Sequence, residues 1–266
     1  MTITKFEKGK RLCMLDELRG IAIIAMVIYH TIYSMAFIFH LDFSYSIFLQ
    51  AYKFQPLIPI LFITLCGISC SFSKSNLKRG ALIFAIAIVI TIATYIFMPS
   101  TAIIFGILHF IGIALILYSI TEKWIDKIPE NIGATISLAL FIIFYNIPNG
   151  YIGYQPFLSL ELPPQLYSCY PLFVIGLPTP DFSSGDYFPL IPYIFLLYSG
   201  CFLGKLILKN GAPDFMYKKL CPPLDFLGKH SLLIYYLTIY NVQLMYYLVI
   251  LYCRPLSDTR RISAEN

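Results

Sequence analysis

Histidine is the side chain best suited to moving a proton near neutral pH, and this chain sets its histidines in apolar company. His30 closes the run LDELRGIAIIAMVIYH, about three helical turns beyond the charges Asp16, Glu17 and Arg19. His40 follows in FIFHLDF, and His109 sits in FGILHFIGIALIL. An imidazole in such a stretch could take a proton from a hydroxyl or amine as that group attacks an acyl carbonyl. It could also carry the acyl group itself. Arg19, near the start of the same apolar run, suits the phosphates of an activated donor. A polar site at this depth would equally serve a transporter or flippase, and a neutral imidazole bonded to a nearby carbonyl would serve structure alone. His30, His40, His109 and His230 have no partner at metal-ligand spacing on a helix, so no metal site is expected.

Such residues need elements that can hold them inside a bilayer. The 266 residues are 58% hydrophobic and only 12% charged, about half the charge of an ordinary soluble domain. Apolar segments near 18–40, 55–73, 80–98, 102–120, 131–148, 188–208 and 230–253 approach the roughly 20 residues that a spanning helix requires. A shorter stretch, LYSCYPLFVIGLP at 166–178, is bounded by prolines and reads as re-entrant or interfacial. The expected fold is all-α: a polytopic transmembrane helical bundle of seven to eight spans, forming a single integral membrane domain over 1–266. The basic N-terminus precedes an apolar run with no small-residue cleavage site, so that run reads as an uncleaved span.

With the N-terminus in the cytoplasm, the basic loops, Lys74, Lys78 and Arg79 among them, fall inside. Only Lys53, Arg254, Arg260 and Arg261 fall outside. The net charge of +5 is thus a topology signal, and nucleic acid is not an expected partner. By helical rise, His30 lies about 16 Å beyond Arg19, near the bilayer midplane, and His40 about 15 Å further, at the outer surface. Asn241 falls near the middle of the last span, as interhelical glue or as part of a cavity. Gly67, together with Gly200 and Gly204 in SGCFLGK, marks a close-packing face. The proline- and tyrosine-rich stretch 149–187 reads either as a lipid-hugging outer loop or as a lid over a cavity.

RLCMLDELRGIAIIAMVIYH resembles the opening signature of the transmembrane acyltransferases. More narrowly, it is similar to the heparan-alpha-glucosaminide N-acetyltransferase-like membrane proteins and their small bacterial relatives. LFITLCGISCSFSKS at 61–75, FGILHFIG at 105–112, SSGDYFPLIPYIFLLYSGCFLGK at 183–205 and LGKHSLLIYYL at 227–237 carry the same resemblance. It implies a helical membrane bundle that takes acetyl-CoA or another acyl-coenzyme A as donor and a saccharide or other polar group as acceptor. The family's key histidine then falls on His40, as general base or acyl carrier. A first-span position that is asparagine in a lysosomal member of that family falls on His30. Asp16 and Arg19 match the inner motif, near the donor entrance. His109 stands where larger relatives carry arginine, and Thr238 where many carry histidine.

The reading these observations support is a multi-pass acyltransferase of the bacterial cytoplasmic (inner) membrane, N-terminus inside. It would move an acyl group from acyl-coenzyme A to a hydroxyl or amine, for instance of a cell-envelope saccharide. His40, His30 and His109 are the catalytic candidates. Arg19, Asp16, Lys74, Lys78 and Arg79 are the donor-binding ones. Asp186, Tyr187 and Asn241 are the acceptor-binding ones, although Asp186 would serve equally well as a helix cap. Membrane lipids surround the chain, and homodimerisation stays open. A transporter or flippase, or a membrane protein without catalysis, are the alternatives.

Overall fold

In lipid a segment must satisfy its own backbone, so long apolar runs fold as helices. The computed structural model describes residues 3–4, 11–37, 39, 41–97, 99–156 and 158–238. His40, Asn241 and most of the expected span 230–253 lie outside the described residues. Among the described residues the helices run in order α1 (Cys13–Phe37), α2 (Asp42–Phe54), α3 (Leu57–Cys70), α4 (Asn76–Phe97), α5 (Ile107–Ile125), α6 (Glu130–Phe144), α7 (Leu190–Asn210) and α8 (Pro222–Lys229), and residues 231–238 are helical as well. Short strands β1 (Ile3–Thr4), β2 (Tyr151–Tyr154), β3 (Leu158–Glu161) and β4 (Ala212–Pro213) and several 3-10 turns accompany them. Among the described residues, 6 helical stretches are long and apolar enough to cross a membrane. The protein is a polytopic all-α membrane protein.

Two boundaries differ from the sequence expectation. Residues 42–54, which fall between the expected apolar segments 18–40 and 55–73, form α2 and continue into α3 across a turn at Gln55 and Pro56, giving one apolar stretch, Phe43–Cys70. Aromatic contacts hold α2 on α1: Phe48 meets Tyr29, Tyr33 and Phe37 at ring separations of 6.1, 6.0 and 4.9 Å. The span expected from 102 begins instead at Ile107, because Ala102–Gly106 is extended and bonded to the loop before α7. The stretch 166–178 does not span: it folds into 3-10 turns at Pro164–Tyr167 and Tyr170–Ile175.

The chain forms two compact units. The first comprises Ile60–Tyr217 with β1, which pairs antiparallel with β4. Its interior is made of Ile63, Leu65, Ala87, Phe110, Ala114, Leu115, Leu197 and Phe202. α4 shows how a membrane helix sorts its residues: Gly80, Ala87 and Thr94 are buried, while Leu82, Val89, Ile92 and Ile96 are exposed. Small residues permit backbone approach and large ones meet lipid. The same logic joins α3 to α7. A methyl group on Gly67 would overlap the Leu197 carbonyl oxygen, and one on Gly200 would overlap that of Thr64. Ser71 Oγ adds a bond to the Cys201 carbonyl at 3.0 Å. Antiparallel α6 and α7 are tied by Ser199 Oγ to the Ala134 carbonyl at 3.1 Å, and by the ion pairs Lys209–Glu130 at 2.8 Å and Lys205–Asp126. Every basic residue of Ile60–Tyr217 lies in or beside the turns linking α3 to α4 and α5 to α6, or on the last turns of α7. The other end of these helices carries none.

The second unit comprises Leu12–Pro59 and residues from Lys218 on. Here α8 lies against the first turns of α1 with almost no side chain between them. A methyl group on Gly20 would overlap the Leu224 carbonyl oxygen, and one on Gly228 would overlap that of Asp16.

Candidate active site

In the second unit the charges of LDELRG are committed to specific partners. Asp16, only 2% exposed, holds the Arg19 guanidinium at 2.5 Å. Glu17 Oε1 accepts the Cys221 backbone N–H at 2.8 Å, just ahead of α8. Asp225, also buried, is paired with Lys229 at 2.6 Å and with Lys219 at 3.5 Å. The Lys229 hydrogen bond, helped by Lys219, holds the Asp225 carboxyl below the usual carboxylate range. A depressed native value stabilises the fold above the ordinary carboxylate pKa, and that contribution is lost as pH falls through the lowered one. The thermal midpoint of wild type should therefore exceed that of Asp225→Asn at neutral pH and converge with it in acid. A constant gap across the titration would refute this role.

His30 lies further along α1. Eleven residues make about three turns, so Arg19 and His30 share one stripe of the helix, within about 20° of each other. That stripe is roughly opposite the exposed Ile21 and Ile28. The His30 ring is half-buried, stands edge-on to Tyr29 at 5.8 Å, and among the described residues makes no hydrogen bond. Its position thus sets a ring with no hydrogen bond among the described residues about three turns along the same stripe from the Asp16–Arg19 pair.

The first unit gathers a different set, at the end of its helices that lacks basic residues. His109 Nδ1 accepts the Gly106 N–H at 3.3 Å, so the proton resides on Nε2. Nε2 then donates to Thr91 Oγ1 at 3.0 Å, and that hydroxyl donates to the Ile103 carbonyl at 2.6 Å. Thr94 Oγ1 accepts the Ile103 N–H at 3.1 Å. Both ring nitrogens are in use, the imidazole is neutral, and it neither replaces an arginine's charge nor offers a free base. Asp186 Oδ2 accepts the Ile107 N–H at 3.0 Å, capping α5 from a distant loop, and a methyl on Gly106 would come within 2.5 Å of that oxygen. Tyr187 gives its hydroxyl to the Phe173 carbonyl at 2.5 Å, and burial raises its pKa above the ordinary tyrosine value. FGILHF and SSGDYF are therefore two halves of one bonded cluster, reinforced by the bonds from Phe188 N to Phe105 O and from Gly185 N to Ala102 O. Asp186→Ala should cost about 1 kcal/mol as a lost cap, read as a lowered unfolding midpoint in detergent. An unchanged midpoint would contradict the cap.

Of the remaining candidates, Lys74 and Lys78 are exposed, whereas Arg79 donates to Asn76 Oδ1 at 3.3 Å. A cavity of about 450 Å³ opens at the same basic end, lined by Tyr118, Glu122, Asp126, Glu130, Lys205 and Lys209 among others. Its two lysines are paired with Asp126 and Glu130, so the cavity carries no excess positive charge for phosphates. Sequence reasoning missed Thr91 and named Glu17 without its partner, the Cys221 N–H. Thr91 and Thr94, spaced i,i+3 within an otherwise apolar span, were the readable signal for the His109 cluster.

No curated protein and no solved structure matches the chain. The model of the heparan-alpha-glucosaminide N-acetyltransferase catalytic family matches residues 11–239, which includes the α1 stripe, the His109–Asp186 cluster and α8. That span covers most of the chain, and the family's chemistry is acyl transfer. The molecule is thus a membrane-embedded acyltransferase, and the chain belongs to the heparan-alpha-glucosaminide N-acetyltransferase catalytic family.

Proposed function

We propose that this protein takes an acyl group from acyl-coenzyme A on the cytoplasmic side of a bacterial inner membrane and transfers it to a hydroxyl or amine of a polar acceptor, such as a cell-envelope saccharide, at the far side. The whole chain acts as one membrane domain of seven to eight spans with its N-terminus inside, as the one-ended placement of basic residues favours. The observation that carries this reading is the shared α1 stripe, with Arg19 at one level and, about three turns deeper, a His30 ring that makes no hydrogen bond among the described residues.

In the proposed reaction, an imidazole accepts a proton from the acceptor nitrogen or oxygen as its lone pair attacks the thioester carbonyl carbon. The C–S bond then breaks, and the departing coenzyme A thiolate takes up a proton to leave as the thiol. His40 fills the base or acyl-carrier role by the family resemblance, and His30 is the second candidate along the route. Arg19 offers N–H donors to donor phosphate, with Lys74 and Lys78 as exposed helpers. Asp186 and Tyr187 shape the acceptor side by holding the outer loops, with Asn241 as a further acceptor contact.

The test uses the full chain in lipid nanodiscs. Acetyl-CoA should bind, and an amino sugar should become acetylated in its presence. Arg19→Lys should weaken donor binding about ten-fold or more while leaving the fold intact, since a charge-assisted bond contributes roughly 1.5–3 kcal/mol. Folded protein that binds no acyl-coenzyme A would end this proposal and return the transporter reading.

A further inference from the structure

The antiparallel ribbon β2–β3 is amphipathic in a way the acyltransferase reading does not use. Its register pairs Ile152 with Leu160 and Tyr154 with Leu158, which places these four side chains on one face. Tyr151, Gly153, Ser159 and Glu161 take the other. The apolar face is uncovered: Leu158 is 83% exposed, Leu160 67% and Tyr154 46%. A patch of this kind on an isolated ribbon marks an interaction surface.

Its location identifies the occupant. The fifth spanning stretch ends at Asn149, and β2 begins at Tyr151. The ribbon is fixed to that helix end, since Asn146 Nδ2 donates to the Gly153 carbonyl at 2.7 Å and Leu162 N to the Gly150 carbonyl at 2.8 Å. α6, which leads into it, exposes Ile132, Ile136, Ile142 and Ile143, a face made for acyl chains. The uncovered ribbon face therefore begins where a lipid-facing helix leaves the hydrocarbon, and it carries tyrosine and leucine with no charge. The only ionisable carboxylate of the two strands, Glu161, is on the opposite face. We infer that the Ile152–Tyr154–Leu158–Leu160 face lies on the bilayer interface and anchors the 150–187 connection to the lipid surface at that end of the bundle. Tyrosine and leucine at headgroup depth are what such an interfacial anchor needs.

The chain has a single tryptophan, Trp124, so a Trp124→Phe background provides a dark protein for site reporters. Leu158→Trp and Ser159→Trp, each in that background, put a fluorophore on the apolar and on the polar face of the same strand. Both positions are exposed and neither supports the fold, which far-ultraviolet circular dichroism would verify. In reconstituted vesicles, the Leu158→Trp reporter should lose emission to lipids brominated near the headgroup and resist aqueous iodide, while Ser159→Trp should do the reverse. Equal iodide quenching of both reporters would overturn the assignment. So would a Leu158→Trp signal insensitive to brominated lipid that shifts with the protein-to-lipid ratio, because the face would then be covered by a second copy of the chain. The readout is independent of acyl transfer, so its failure would leave that proposal standing.

Discussion

His30→Ala should leave acyl-coenzyme A binding close to wild type and lower turnover by about a hundred- to ten-thousand-fold, the usual contribution of a positioned general acid–base group. The structural basis is the contrast between two histidines in apolar helices. His109 has Nδ1 on the Gly106 N–H and Nε2 on Thr91 Oγ1, so its ring is spent on holding the 102–106 loop. His30 makes no such bonds among the described residues and shares its stripe with Arg19. Removing it leaves no buried polar group without a partner, so the fold should tolerate the change. His109→Ala should behave in the opposite way, with a lowered unfolding midpoint and a loss of activity that tracks the loss of folded protein. Single-turnover transfer and donor binding, measured side by side on both variants and on His40→Ala, separate the roles. Full turnover in His30→Ala with none in His40→Ala would assign the chemistry to His40 alone.

The largest effect on stability is expected at Gly228. A side chain there meets the Asp16 main-chain oxygen, and backbone cannot yield as the end of a flexible side chain would. Gly228→Val should cost about 3 kcal/mol or more, the upper range for overpacking, and should part α8 from the first turns of α1. That separation also undoes the Glu17–Cys221 bond and loosens Asp16, the partner of Arg19. Gly150→Ala supplies the comparison. Nothing stands within 4 Å of its added methyl, and only its φ of +93° resists, so a cost of about 1 kcal/mol is expected. Fluorescence-detected size exclusion after graded heating would rank the two variants. Equal midpoints would mean that α8 does not rest on α1 as closely as Gly20 and Gly228 imply.

Much of the architecture was legible in the chain, because the bilayer imposes rules that act locally. A run of about 20 apolar residues has few ways to satisfy its backbone other than a helix, and α1, α4, α6 and α7 lie where such runs occur. The sites of close helix contact were legible too, since Gly67, Gly200 and Gly204 are small for a reason that survives into the packing. The family was carried by short motifs in fixed order, and the match over residues 11–239 agrees with that reading.

Partnership was a different matter. DYFP and LHF are separated by most of two helices and a long loop, and nothing in either sequence says that Asp186 will cap α5 or that Thr91 will take the His109 proton. Nor does the spacing of Asp16 and Glu17 disclose that one will pair with Arg19 and the other with the main chain before α8. Residue type and local period depend on a few neighbours and the surrounding solvent, so the chain alone determined which segments are helices and which of their residues are polar. Whether a given polar side chain is bound up in the scaffold or left available for chemistry depends on what arrives from distant parts of the chain, and only the tertiary structure decided that.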